Sequence, residues 1–257
     1  MPFIERDGAQ IYYECKGSGP TLVFAHGAGG NAAIWYHQIA HFATDYQVIS
    51  FDHRLFGRST HPQGALTVQQ FRDDLLGLLD ACDAERAHVV GQSMGGFTVL
   101  RTALDCPDRV ATLTMSCTGG GIVNPNPSPA IQRLTSHNGS AVSSGIAETM
   151  SRKSQADAAL MQLYESINAF NTQFDWGNLA SLLGPDGAIQ LESLAEVACP
   201  TLFISGAEDP LFPPDLLASY VPHFQNATIE VVEDTGHSPY FERPDVFNEL
   251  LAKHIKN

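Results

Sequence analysis

Short, continuous apolar runs alternating with stretches of helical period constrain this 257-residue chain more than any other feature. Ile11-Tyr12-Tyr13, Leu22–Ala25, Gln47–Phe51, Ala87–Val90, Val110–Met115, Thr201–Ile204 and Thr228–Val232 are short β-branched or apolar runs. Such runs read as strands covered on both faces. Between them, Thr67 suits an N-cap for a helix presenting Phe71, Leu75, Leu78 and Leu79. Ser93 to Cys106 has helical spacing and stops before Pro107, and Pro244 to Ile255 aligns Val246, Phe247, Leu250 and Leu251. Alternation of this kind predicts a mostly parallel sheet with right-handed crossovers and helices on both faces.

The alternation fails once. After Val110–Met115 come Gly119-Gly120-Gly121, then Pro125, Pro127 and Pro129, and strand patterning resumes only at Pro200. Between lie helix-like segments, Ala141 to Lys153, Gln155 to Phe170 and Leu191 to Val197. The expected organisation is a core of residues 1–121 and 196–257 with a helical cap at 122–195. Tyr164, Phe170, Phe174 and Trp176 in the cap are candidates for a substrate lid, or equally for the insertion's own core.

Charge narrows the function classes. Fourteen Lys and Arg against 28 Asp and Glu give a net charge of −14, which a nucleic-acid or anionic-membrane surface would repel. No run approaches a membrane span, and the N-terminus has no basic-then-apolar signal. The five cysteines form no C-x-x-C pair and read as reduced thiols, so a cytoplasmic setting is expected. A small-molecule substrate is the expected partner.

Gly91-Gln92-Ser93-Met94-Gly95 matches G-x-S-x-G between a strand and a helix, where a sharp turn exposes a seryl oxygen over a helix N-terminus. A serine hydroxyl needs a positioned base. His237, in a Gly-containing loop after the last strand, has the right placement among ten histidines. An acid on the preceding strand end, Asp209 with Glu208 as its adjacent rival, would orient that imidazole. The glycine turn His26-Gly27-Ala28-Gly29-Gly30 supplies backbone N–H groups for an oxyanion. Ala28 and Met94 are the expected donors, with Gly29 the alternative to Ala28. No P-loop or dinucleotide fingerprint is present. His37 and His41 stand at helical i, i+4 spacing, but Gln38 replaces the glutamate that a zinc hydrolase needs.

These motifs, with Asp52-His53-Arg54-Leu55-Phe56-Gly57-Arg58-Ser59 and His237-Ser238-Pro239-Tyr240-Phe241-Glu242-Arg243-Pro244, resemble the α/β-hydrolase superfamily in type and order. The resemblance implies an α/β fold with a cap inserted after the sixth strand and a Ser93–Asp209–His237 triad using no metal or cofactor. It implies a serine esterase or lactonase, similar to small-cap esterases, enol-lactonases and cofactor-free haloperoxidases. The alternatives are a carbon–carbon bond hydrolase of ring-cleavage products, acyl transfer or perhydrolysis on the same triad, and a ligand receptor with little turnover. Gln92 and Ser238 stand where carbon–carbon hydrolases commonly carry Asn and Trp. Leu55 stands where the family's second motif carries glycine; if that glycine serves a φ > 0 turn, Leu55 is strained there, and either the turn is remodelled or the local loop differs. Trp35 and Leu211, beside motif loops, join Phe170, Phe174 and Trp176 as substrate-binding candidates or as core residues.

Overall fold

A computed structural model describes residues 2–62, 64–124, 147–173, 181–182 and 184–256. The strands are β1 (Phe3–Arg6), β2 (Ala9–Lys16), β3 (Thr21–Ala25), β4 (Gln47–Phe51), β5 (Ala87–Gln92), β6 (Val110–Ser116), β7 (Thr201–Gly206) and β8 (Ala227–Val232). They form one sheet in the order β1-β2-β4-β3-β5-β6-β7-β8. Pairing is antiparallel for β1–β2 and β2–β4 and parallel from β4 to β8. Every residue of β3 and β7 is buried, as continuous apolar runs require. The short β1 alternates between exposed and half-buried residues.

The helices with described bounds are α1 (Tyr36–Phe42), α2 (Val68–Ala81), α3 (Gly95–Asp105), α4 (Arg152–Ala156), α5 (Ala158–Asn168), α6 (Pro214–Tyr220), α7 (Pro239–Glu242) and α8 (Pro244–Ile255). Thr67 caps α2 as expected: its hydroxyl accepts from the Gln70 N–H, and the Gln70 side chain accepts from the Thr67 N–H, both at 3.1 Å. One core cluster joins α2, α3 and α6 to the sheet through Leu75, Leu78, Val99, Leu100 and Leu217. A second joins α1 and α8 through Phe42, Phe247 and Leu251, and also takes in Met150, Tyr164 and Ile167. Residues 147–173 therefore share a core with the sheet's helices.

The helix-like stretch Ala141 to Lys153 is interrupted in its described part. Ala147–Thr149 is one 3₁₀ turn, and Ser151 is extended at φ −60° and ψ 156°. The Ser151 hydroxyl caps α4 and the Asp157 carboxylate caps α5. Leu191–Glu196 is 3₁₀ rather than α-helical. Phe174 and Trp176 lie outside the described residues.

Strand order reverses at β3, which pairs with β4 on one side and β5 on the other. Ligand crevices open at the carboxyl ends of strands at such a switch point. The glycine turn follows β3 and the Ser93 turn follows β5, so both motifs emerge there.

Candidate active site

Ser93 has φ +50°, a left-handed backbone of the kind expected at a strained strand-to-helix turn. Its N–H donates to Ser116 O at 3.1 Å, and its carbonyl accepts from the Gly96 N–H at 3.0 Å and the Thr118 hydroxyl at 2.6 Å. The turn is thus tied to β6 and to the start of α3. Gly95 permits this closeness: a Cβ there would lie 2.1 Å from Ala25 O.

The glycine turn is closed by the Gly30 N–H donating to Gly27 O at 3.0 Å, with Ala28 and Gly29 at its tip. Among the described residues, no backbone or side-chain acceptor takes the Ala28 or Met94 N–H. His26 shapes this turn from beneath. The His53 N–H can only donate, so His26 Nε2 accepts it at 2.9 Å. The ring proton therefore sits on Nδ1 and is donated to Gly27 O at 2.7 Å. Burial depresses the His26 pKa from 6.5 to about 4, and burial with the neighbouring His26 holds that of His53 well below its ordinary value.

A stability measurement follows. Between pH 6.5 and about 4 the unfolded chain holds a proton on His26 that the folded chain refuses. This contribution is complete above the unfolded value and is lost as pH falls toward the folded one, about 3 kcal/mol in all. Urea unfolding across that window should show His26→Gln with a shallower decline than wild type. Equal slopes would overturn the assignment of a buried neutral ring.

His237 is buried, and its Nδ1 faces both oxygens of Asp209, at 3.1 and 3.0 Å. Asp209 Oδ1 also accepts the N–H groups of Leu211 (2.9 Å) and Phe212 (3.2 Å), which hold the carboxylate in place. Glu208 turns outward and accepts the Arg152 N–H at 3.1 Å. The structure thus brings Asp209, and not Glu208, to His237. Gln92 Nε2 donates to His237 O at 2.9 Å, joining the residue before Ser93 to the histidine loop.

Several residues at this site carry no motif signal. Phe212 stacks on His237 with centroids 6.0 Å apart and planes 19° apart. Asn171 donates to Gly30 O and accepts the Gly57 N–H, each at 3.0 Å, so it spans the glycine turn and the Asp52–Ser59 loop. Cys117 Sγ lies within 4.8 Å of the donor atoms of Asp209 and His237. Burial raises this thiol's pKa well above its ordinary range, so it is a thiol and not a thiolate at neutral pH. A metal here would have to displace the existing His237–Asp209 bond.

Leu55 takes φ +69°, so the leucine adopts the left-handed backbone. That conformation costs a non-glycine residue about 1–2 kcal/mol. Its side chain packs with Ala28 against Phe56, Met94, Phe97 and Leu182, an apolar cluster that contains both expected oxyanion donors. Leu211 is buried on the acid loop, and Phe170 is 67% exposed at the end of α5. Trp35 is fully buried against Phe24 and Tyr240, which makes it a core residue. Gln38 is buried and donates to Tyr240 O and Asn248 Oδ1, while His37 and His41 face outward on α1.

The alpha/beta hydrolase family model matches residues 22–250, and the chain belongs to that family. It is 29% identical to the provisionally named carbamate hydrolase RutD of Azorhizobium caulinodans, over 98% of this chain and 97% of that protein. It is 27% identical to 3-oxoadipate enol-lactonase 2 of Acinetobacter baylyi, over 92% and 89% of the two chains. The solved structure of Est816, described as an N-acyl homoserine lactone degrading enzyme, superposes with a TM-score of 0.84 at 30% identity. That alignment covers 98% of this chain and 99% of Est816.

Proposed function

We propose that this protein is a serine hydrolase of small carboxylic esters or lactones. The observation that carries the reading is the His237–Asp209 pair, with the His237 carbonyl bonded to Gln92, the residue preceding a left-handed Ser93. Asp209 holds the His237 proton on Nδ1, which leaves Nε2 to act as the base. Ser93 Oγ adds to the substrate carbonyl as its proton passes to Nε2. The oxyanion forms against the N–H groups of Met94 and Ala28, each donor being worth about 3–4 kcal/mol in systems of this kind. His237 protonates the departing alkoxide, and the acyl group remains on Ser93. Water then gives a proton to Nε2 as it adds to the acyl-enzyme, and His237 passes that proton to Ser93 Oγ as the acyl–oxygen bond breaks and the acid leaves. The enol-lactonase and homoserine-lactone relatives support the choice of an oxygen ester.

The test is covalent trapping. A dialkyl nitrophenyl phosphate should add one dialkylphosphoryl group to the peptide containing Ser93, with release of one nitrophenolate. Ser93→Ala should gain no mass. An unmodified wild-type protein would remove Ser93 as the nucleophile. Screening nitrophenyl esters, lactones and a vinylogous diketo acid then separates bond types, and turnover of the diketo acid alone would install the carbon–carbon reading instead.

A further inference from the structure

Glu242, at the end of α7, is a buried carboxylate with no part in the chemistry above, yet three backbone N–H groups converge on it. Oε1 accepts from Gly236 at 2.9 Å and Ser238 at 3.1 Å, and Oε2 accepts from Ser151 at 2.8 Å. Gly236 and Ser238 are the two neighbours of His237, so one side chain grips the loop on both sides of the imidazole. Ser151 lies 91 residues earlier in sequence and is the N-cap of α4. The His237 N–H donates to Thr149 O at 2.9 Å, so the strap 149–151 lies directly on the loop. Gly236 is what permits that contact, because a Cβ there would sit 2.2 Å from Thr149 O and 2.6 Å from Met150 C.

We propose that Glu242 is a positioning residue that fixes His237 for catalysis by clamping the loop backbone and locking it to the strap that begins α4. The inference rests on the reading of His237 as the base. Charge-assisted bonds to N–H groups are the strong class of hydrogen bond, and removing the acceptor from buried donors leaves their desolvation uncompensated. A freed loop would let the imidazole drift, and displacement of a reacting group by about 1 Å costs up to about 10²-fold in rate. Asp209 would still hold Nδ1, so loss of the clamp should weaken catalysis without abolishing it.

The test combines kinetics with amide exchange. Glu242→Ala should lower kcat about tenfold or more per folded molecule while KM for a short nitrophenyl ester stays within about twofold. Glu242→Gln keeps one carbonyl oxygen, which can still take the Gly236 and Ser238 N–H groups while its NH₂ faces the Ser151 N–H. This variant should recover most of kcat, retain exchange protection at Gly236 and Ser238, and lose it at Ser151. A purely structural role predicts lowered Tm with unchanged kcat per folded molecule, and that result overturns the proposal. Should Glu242→Ala fail to fold, the Gln variant decides alone: wild-type exchange at all three amides would also overturn it. The dependence on His237 is checked separately, since turnover that survives His237→Ala would refute the base and leave the exchange pattern standing.

Discussion

Asp209→Asn is expected to lower kcat by about 10⁴-fold while leaving the fold and substrate affinity intact. The reasoning is tautomeric. Asp209 is acceptor-only as a carboxylate, and its two oxygens hold the proton of His237 on Nδ1. An asparagine amide turned toward the ring donates instead, which moves the ring proton to Nε2 and removes the base proposed for Ser93. The Leu211 and Phe212 N–H groups bias the choice, because they demand an oxygen at Oδ1 and so turn the NH₂ toward the imidazole. Ser93→Ala should fall at least as far, and combining it with Asp209→Asn should add almost nothing, because residues acting as one unit are not additive. Steady-state turnover of a nitrophenyl ester by the three variants measures this. An Asp209→Asn enzyme within tenfold of wild type would return Glu208, or no acid at all, to consideration.

Gly95→Ala is expected to cost roughly 3 kcal/mol or more of unfolding free energy and most of the activity. The added methyl would lie 2.1 Å from Ala25 O, 2.6 Å from Ala25 C and 3.0 Å from His26 O. These are backbone atoms in the sheet centre, where β3 pairs with β4 and β5, so no side chain can swing aside. Relief must come from separating the start of α3 from the end of β3. That same movement parts the Met94 and Ala28 N–H groups proposed to share one oxyanion. Gly77→Ala is the control, since its methyl meets chiefly the flexible Arg6 side chain at 3.1 Å, and helix propensity favours alanine by about 1 kcal/mol. Urea unfolding should place the two substitutions on opposite sides of wild type, or Gly77→Ala close to it. Matching stabilities would show that α3 can shift at little cost.

The parts of this architecture that the sequence announces are those coded by local chemistry. Buried strands such as Leu22–Ala25 and Thr201–Ile204 need uninterrupted apolar runs, and the turns after them need glycine, so both are visible over a few residues. Phe3–Arg6 is not legible in this way, because a half-exposed antiparallel strand has no such run. The helix expected to end at Lys153 is broken because Ser151 takes its hydroxyl into a capping bond that competes with helix continuation, and the Asp157 carboxylate interrupts the stretch from Gln155 to Phe170 in the same way. Asp209 and His237 could be singled out by their positions after strands. Gln92, Asn171 and Glu242 could not, since each binds at least one backbone group 91 to 145 residues distant and no spacing rule encodes such pairs. Leu55 is the intermediate case: its strain was foreseeable from one substituted glycine, but not its place beside Met94 and Phe97.

The shared core of Met150, Tyr164 and Ile167 with Trp35, Tyr240 and Phe241 bears on how such proteins can be recombined. Residues 147–173 are not an exchangeable cartridge resting on a finished barrel of structure. A graft that replaced them with the equivalent stretch of a relative would strip apolar cover from Tyr240 and Phe241, three and four positions beyond the catalytic histidine candidate. Chimeras meant to transplant substrate preference should therefore carry these three side chains across with their partners, or keep the native stretch and vary the sequence on either side of it.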